Sequence, residues 1–284
     1  MTGKDPTIRT GRLQLATGGL FWHETGRGET LVFLHGSWQD GLQWQPLVAA
    51  LSGDFHCLAP DLLGFGESRS QPGTAHSVAL QVEALAQLLQ TLRISRCCLV
   101  GHSLGAWVAA QFALQYPDRI AGLALIEPEG LEPTVARSRW RLQRQLAGRF
   151  SLYAAVLQAA SPLIRLLGGQ NWLRQVWALR QELLRHPAAC RILFRRRQAE
   201  IKGELVHYQL AQLTMPVTLL LPEPLPPSSE ALGKAFVRSL PTTTLTAIAE
   251  GDTDWGLDLE STASVLKAFA LKALALKVTH RQRW

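Results

Sequence analysis

The sequence is short of charge and of long apolar runs. Only 18% of its 284 residues are Asp, Glu, Lys or Arg, whereas 47% are hydrophobic, which is enough to fill a large buried core. No apolar run approaches the roughly 18 residues that a membrane span needs. The first ten residues are polar and lack the apolar segment of a secretory signal. We therefore expect a soluble, cytoplasmic protein.

Cysteine is also scarce, and its placement excludes two kinds of site. The four cysteines, at positions 57, 97, 98 and 190, lack the paired spacing of zinc ligands. Three of them fall on predicted interior strands, which favours reduced thiols in an intracellular protein over a disulfide framework. We expect no metal and no cofactor.

The net charge of +7 is concentrated in one segment of the chain. Residues 130–205 hold 14 Arg or Lys against 4 Asp or Glu, which leaves this segment at +10 and the remainder at −3. The segment also contains Trp, Phe and Tyr residues. Such a stretch can contact an anionic membrane surface or an acidic protein, or it can simply be the solvated face of ordinary helices. Nucleic acid is not an expected partner, because no recognition module is visible.

Strand and helix patterns alternate through most of the chain. Strand patterns cover residues 19–24, 30–35, 55–60, 97–101, 121–126, 217–221 and 243–248. Helical patterns cover residues 44–51, 77–92, 104–116 and 261–277. Strands that alternate with helices predict an α/β fold with a mostly parallel sheet covered on both faces.

The alternation stops between residues 131 and 213. Strand patterns vanish there, and Arg-rich amphipathic helices take their place, with breaks predicted at Pro162, Gly168-Gly169 and Pro187. We therefore predict an α/β core built from residues 1–129 and 214–284, with a helical insertion at residues 130–213.

The segment Gly101-His102-Ser103-Leu104-Gly105 is a Gly-x-Ser-x-Gly sequence between a predicted strand and a predicted helix. That arrangement suits a serine on a tight strand-to-helix turn, where glycine on either side avoids a collision with nearby backbone. Ser103 Oγ would then be exposed as a nucleophile. The Leu104 N–H, at the start of the helix, would stabilise an oxyanion.

With this turn in place, the chain resembles an α/β-hydrolase with a helical cap over nearly its whole length. His35-Gly36 follows the apolar residues 31–34 and matches the family's His-Gly turn. The next amide, that of Ser37, corresponds to the second oxyanion donor of that family. Residues 61–68 match the family's loop after the following strand. The resemblance implies an α/β-hydrolase fold and hydrolysis by a serine nucleophile.

The acid of the triad departs from the usual pattern of this family. It normally follows the strand that begins here at Met215-Pro216, but that strand runs into Glu223 and several prolines, so Glu223 is only an offset candidate. Some members, haloalkane dehalogenases among them, take the acid from the end of the preceding strand, which is Glu127 here. We prefer Glu127, although it could equally be a structural carboxylate. Dehalogenation is not expected, because it needs a carboxylate nucleophile instead of Ser103.

The catalytic histidine of the family is missing from its place. It follows a glycine after the last strand, and here Glu250-Gly251-Asp252 puts Asp252 at that position. A carboxylate of ordinary pKa is a weak base toward a serine hydroxyl. His35 and His102 are expected to have structural roles. His207 is therefore the histidine that remains as an alternative candidate for the base.

Two functions remain open at this point. One is a serine hydrolase of an apolar ester, with Ser103 as nucleophile, the amides of Ser37 and Leu104 as oxyanion donors, and Glu127 or Asp252 as acid or unconventional base. The other is a pseudo-hydrolase without catalysis that binds a small apolar ligand in its pocket. Its basic cap would then contact an acidic protein or an anionic membrane.

Overall fold

The computed structural model of the chain describes residues 8–130, 140–148, 150–206, 209–224 and 243–281, together with residues 234, 238 and 240. The chain divides into two compact units. One, here called the sheet unit, comprises residues 1–131 and 203–284, and the other, the helical unit, comprises residues 132–202. The helical unit lies within the segment predicted as a cap, and its role as a cap stays a prediction.

The sheet unit is built on a mixed, mostly parallel sheet. Its strands are β1 (Arg9–Leu15), β2 (Gly18–Thr25), β3 (Thr30–Leu34), β4 (His56–Pro60), β5 (Arg69–Ser70), β6 (Cys97–His102), β7 (Ile120–Ile126), β8 (Val217–Glu223) and β9 (Thr243–Ala249). Their order is β1-β2-β4-β3-β6-β7-β8-β9, with β5 paired to β2. All pairs from β4 to β9 are parallel. The predicted fold class is confirmed.

Helices cover both faces of the sheet and make up the helical unit. They are α1 (Gln45–Leu51), α2 (Val78–Thr91), α3 (Leu104–Gln115), α4 (Arg141–Leu146), α5 (Leu152–Leu166), α6 (Gln170–Arg185), α7 (Pro187–Phe194), α8 (Gln198–Glu204) and α9 (Leu259–Arg281). Short 3₁₀ helices occupy Gly41–Trp44, Pro117–Arg119 and Leu210–Gln212. Helix α3 is buried on nearly all sides, which explains why its sequence is apolar all round.

Two local predictions from the sequence need correction. Strand β1 is missing from the predicted elements because it is an antiparallel edge strand, largely exposed, whose polar sequence resembles a loop. Pro162 does not break a helix but lies inside α5, one turn before its end. The carbonyl left without a donor is that of Gln158, and both residues are exposed, so water can replace the missing N–H. The predicted breaks at Gly168-Gly169 and Pro187 are confirmed.

Within the sheet unit, the two chain segments that lead into and out of the helical unit are joined. The Val206 N–H donates to the Gly130 carbonyl at 3.2 Å. The Glu204 carboxylate accepts hydrogen bonds from the N–H groups of Val78 and Ala79, so it caps α2. Its carbonyl accepts from Trp107 Nε1 of α3 at 2.7 Å. The helical segment therefore leaves and re-enters the sheet unit at neighbouring points.

The loop after β9 is anchored by a tryptophan. Trp255 is buried and stacks on Trp44, with ring centroids 5.2 Å apart and an interplanar angle of 23°. Trp44 packs in turn against Phe33 of β3. This aromatic contact holds the loop after β9, which lies at one edge of the sheet, against the segment that follows β3.

Replacement of Trp255 by alanine should lower the free energy of unfolding by about 3–5 kcal/mol, because it empties a large buried site and removes the stacking partner of Trp44. Urea denaturation followed by circular dichroism measures the change. Leu271→Ala, at an exposed position of α9, is the control and should change stability by less than about 0.5 kcal/mol. Equal effects of the two substitutions would contradict the anchoring role of Trp255.

Candidate active site

Ser103 lies in a strained turn between β6 and α3. Its backbone angles are φ 51° and ψ −112°, a conformation that non-glycine residues rarely adopt and that costs about 1–3 kcal/mol. Glycine is required on both sides of the turn. A Cβ at Gly101 would lie 2.6 Å from Ala106 N, and one at Gly105 would overlap the Leu34 carbonyl. The turn thus holds the serine out of both the strand and the helix.

The backbone N–H and carbonyl of Ser103 are both hydrogen-bonded, whereas its hydroxyl is not. The Ser103 N–H donates to the Ile126 carbonyl at 3.0 Å, and the Ser103 carbonyl accepts from Trp107 N–H and Glu129 N–H. The side chain is partly exposed. Among the residues that the structure describes, no partner bonds to Ser103 Oγ. The hydroxyl is therefore available to a bound molecule, but no base in the described ranges is in contact with it.

The turn after β3 sits directly beside this elbow. Leu34 of β3 pairs with Gly101 of β6, so the residues that follow each strand meet at the same edge of the sheet. Leu104 is the first residue of α3, where an N–H has no partner inside the helix. Ser37 is buried, and its N–H donates to no described residue. Both amides expected to serve as oxyanion donors are thus brought to the carboxyl edge of neighbouring strands.

Gln43, which the sequence did not single out, ties these two turns together. Its Oε1 accepts the Gly36 N–H at 2.9 Å, and its Nε2 lies 2.8 Å from Nδ1 of His102. Gln43 is buried, and a Cβ at Gly36 would come within 2.7 Å of the same His102 nitrogen. The one available signal in the sequence was a polar residue between apolar ones in the segment before α1.

Asp61 supports the short 3₁₀ helix that carries Gln43. Its Oδ1 accepts the Gly41 N–H at 2.6 Å, and its Oδ2 accepts the Glu67 N–H at 2.7 Å. Burial raises the pKa of Asp61, although these two amides act in the opposite direction. Asp61 is therefore a buried structural carboxylate of the 61–68 loop.

Two histidines close to the site form structural hydrogen bonds. His35 Nε2 accepts the Leu62 N–H at 2.9 Å, so its Nδ1 carries the proton and donates to the Gly36 carbonyl. His102 Nδ1 is bonded to Gln43. The structural roles predicted for both are confirmed. His207 lies outside the described residues.

Glu127 is placed beside the elbow. It follows β7, whose last residue Ile126 pairs with His102, and it has a positive φ of 42°. Glu129, two residues further on, is a buried carboxylate that the sequence reading missed, and its N–H bonds to Ser103. Glu223 ends β8 at an exposed position. The structure thus brings Glu127 and Glu129 next to the strand end that carries Ser103.

Asp252 is not joined to Ser103. Strand β9 is three places from β6, which corresponds to about 14 Å across the sheet. The loop closes on itself through a bridge between Glu250 and Leu257, and it turns back toward Trp44 by way of Trp255. Asp252 is exposed and has no hydrogen-bond partner in the described ranges. Its role as a base stays a prediction.

The cysteines are unsuited to nucleophilic chemistry. All four are buried and free. Burial raises the pKa of Cys57 and of Cys98 to about 12, so their thiolates are scarce near neutral pH. Within the same described ranges, no group of three or more His, Cys, Asp or Glu side chains could hold a metal ion.

The comparison with protein families agrees with this geometry. The family model of the alpha/beta hydrolase fold matches residues 29–222, more than half of the chain. The chain belongs to the α/β-hydrolase fold family.

Two relatives with names that state an activity are hydrolases. It is 38% identical over 107 residues to the pimeloyl-[acyl-carrier protein] methyl ester esterase of Vibrio atlanticus, a match that covers 38% of this chain and 39% of that protein. It is 33% identical over 115 residues to the 2-hydroxy-6-oxo-2,4-heptadienoate hydrolase of Pseudomonas putida, which covers 38% of this chain and 41% of the relative. The matches thus span about two fifths of those relatives.

Likeness to solved structures extends over nearly the whole chain. A haloalkane dehalogenase loop variant from Bradyrhizobium elkanii superposes with a TM-score of 0.70 over 95% of this chain and 99% of that one. Their sequences are 20% identical, so this likeness shows the fold alone. In the described part of this hydrolase-fold chain, no helix is long and apolar enough to cross a bilayer.

Gln43→Leu should lower the free energy of unfolding by about 2–3 kcal/mol, because it leaves the buried Gly36 N–H and His102 Nδ1 without their partner. Urea denaturation measures the loss. Gln90→Leu, an exposed position of α2, is the matched control and should have little effect. If both variants unfold at the same urea concentration, Gln43 does not hold the two turns together.

Proposed function

We propose that the protein hydrolyses an apolar carboxylic ester, with Ser103 as the nucleophile. The observation that carries the proposal is the strained backbone of Ser103. Strain of this kind persists only where surrounding packing enforces it, and it clusters at reactive sites. Here two glycines and the bonded turn at Gly36 enforce it. The hydrolase names of the matched relatives support the same class of reaction.

The proposed reaction has two steps. Ser103 Oγ attacks the ester carbonyl carbon, its proton leaves with the alcohol, and an acyl-serine forms. Water then attacks the acyl carbon and releases the acid and the free serine. In both steps the carbonyl oxygen becomes negative, and the N–H groups of Ser37 and Leu104 would stabilise it.

A carboxylate has to assist proton transfer in this scheme. Glu127 is the first candidate for the acid because it follows the strand next to β6. Asp252 stands in the sequence where the family carries its histidine, and it is proposed as the unconventional base. An ordinary carboxylate accepts a serine proton poorly, so turnover should be slow, although oxyanion stabilisation alone accelerates the reaction above that in water.

The second candidate function is a pseudo-hydrolase that binds an apolar ligand without cleaving it. One observation favours it: the carboxylate of Asp252 is exposed and bonds to no residue that the structure describes. The turns around Ser103 would then serve to shape a pocket. The Arg-rich cap would contact an acidic protein or an anionic membrane in this case.

Serine-directed labelling separates the two functions. A fluorophosphonate probe should label the protein, and Ser103→Ala should abolish the label because the attacking oxygen is removed. Ser95→Ala, at an exposed position in the segment before β6, is the control and should label normally. The measurement is fluorescence of the labelled band, with turnover of short- and long-chain nitrophenyl esters beside it. If the natural protein neither labels nor turns over ester, the hydrolase proposal fails.

Asp252→His should raise the rate of nitrophenyl ester cleavage by about 100-fold, because imidazole is a far better base at neutral pH than a carboxylate. Asp254→His, two residues away in the same loop and also exposed, is the matched control and should leave the rate unchanged. Adding Glu127→Gln to Asp252→His should remove most of the gain. An equal gain from either histidine would show that position 252 does not approach Ser103.

A further inference from the structure

An exposed apolar surface runs along helix α5 in the helical unit. We define the α5 face as Phe150, Leu152, Val156, Leu163, Leu166 and Leu167. Phe150, Leu152 and Leu166 are 96%, 85% and 83% exposed. At 100° per residue, positions 152, 156, 163 and 166 fall within an arc of about 80°. These four side chains therefore form one stripe along α5, with Phe150 and Leu167 just beyond its two ends.

The other side of α5 is already used for packing. Ala154 and Leu157 are buried and lie on the opposite side of the helix from the α5 face. Arg165 is the only charged residue of α5, and by its position it lies outside the stripe. A helix that is apolar on nearly all sides is normally buried or in contact with lipid. Contiguous apolar patches of this kind are uncommon on monomeric soluble proteins and mark binding surfaces.

The start of the α5 face is held in a defined position. A cavity of about 340 Å³ separates the first half of α5 from α6 and is lined by Phe150, Leu152, Trp177 and Arg180, among others. The Arg180 guanidinium donates to the carbonyls of Leu146 and Gly148, so it fastens the segment before α5 to α6. An apolar side chain of a partner, or an acyl chain, could enter this groove.

The charge of the helical unit identifies the occupant that fits. Residues 132–202 carry 14 Arg or Lys and 3 Asp or Glu, a net charge of +11. Exposed arginines are found at positions 141, 144, 165, 174, 185, 191, 195 and 197. A second copy docked through the same face would bring two units of +11 together. An anionic bilayer offers both negative charge and an apolar interior to one surface.

We propose that the α5 face binds the surface of anionic lipid bilayers, with its leucines and Phe150 inserted among the acyl chains and the exposed arginines of the helical unit drawn to the headgroups. Trp172 of α6 is exposed as well, and tryptophan favours the lipid–water interface. The proposal stands apart from the proposed hydrolysis, since it involves no residue of the Ser103 site.

Co-sedimentation with lipid vesicles tests the proposal on the full chain. The protein should sediment with vesicles of phosphatidylcholine and phosphatidylglycerol but not with phosphatidylcholine alone, and added salt should weaken binding. The double variant Leu152→Glu with Leu166→Glu should bind at least tenfold more weakly, since it places charge in the inserted stripe. Leu271→Glu, at an exposed leucine of the sheet unit, should bind like the natural protein.

Circular dichroism checks that each variant is folded, and sedimentation velocity reports its oligomeric state. The proposal is overturned if the folded natural protein ignores the anionic vesicles, or if the Leu152→Glu, Leu166→Glu variant binds them as strongly. A concentration-dependent dimer that this double variant dissolves, without vesicle binding, would assign the α5 face to a second copy. A monomer that binds no vesicles would also overturn the lipid proposal.

Discussion

The contact between the turns that follow β3 and β6 is the constraint on which the site depends. Gly105 lies so close to the Leu34 carbonyl that no side chain fits there, and a Cβ at Gly36 would lie 2.7 Å from His102 Nδ1. Gln43 then joins these turns through one hydrogen bond to each. Because the two turns cannot separate, Ser103 keeps its strained backbone, and the amides proposed as oxyanion donors stay beside it.

The turn that carries Ser103 is closely packed, and the ionisable side chains near it are histidines and carboxylates. Histidines 35 and 102, which lie nearest in sequence to the two turns, are bonded to backbone or to Gln43. Carboxylates follow two other strands of the sheet: Glu127 and Glu129 come after β7, and Asp252 lies in the loop after β9. In the proposed function, such a site would hold an ester and stabilise an oxyanion, and proton transfer would limit its rate. The same arrangement of residues would therefore suit either slow hydrolysis or ligand binding.

The sequence was informative wherever local spacing carries a physical requirement. The elbow needs glycine at 101 and 105, and interior parallel strands such as β7 read as apolar runs, so both were predictable. Strand β1 was missed because an exposed edge strand needs no apolar pattern. Pro162 was misread because a proline late in an exposed helix costs little when water meets the free carbonyl. Gln43 and Glu129 were missed because long-range hydrogen bonds leave no periodic signal.

By itself, the sequence determined the fold family and the Gly-x-Ser-x-Gly turn, since each depends on residue type at a set position. It also predicts that Asp252 takes the place of the family's histidine. Only the tertiary structure decided which side chains meet. It showed that Gln43 reaches from one turn to the other, and that Trp255 packs on Trp44 while Asp252 stays exposed. It also showed that the apolar stripe of α5 faces solvent. Burial and distance are properties of packing between segments far apart in the chain, which no local pattern encodes.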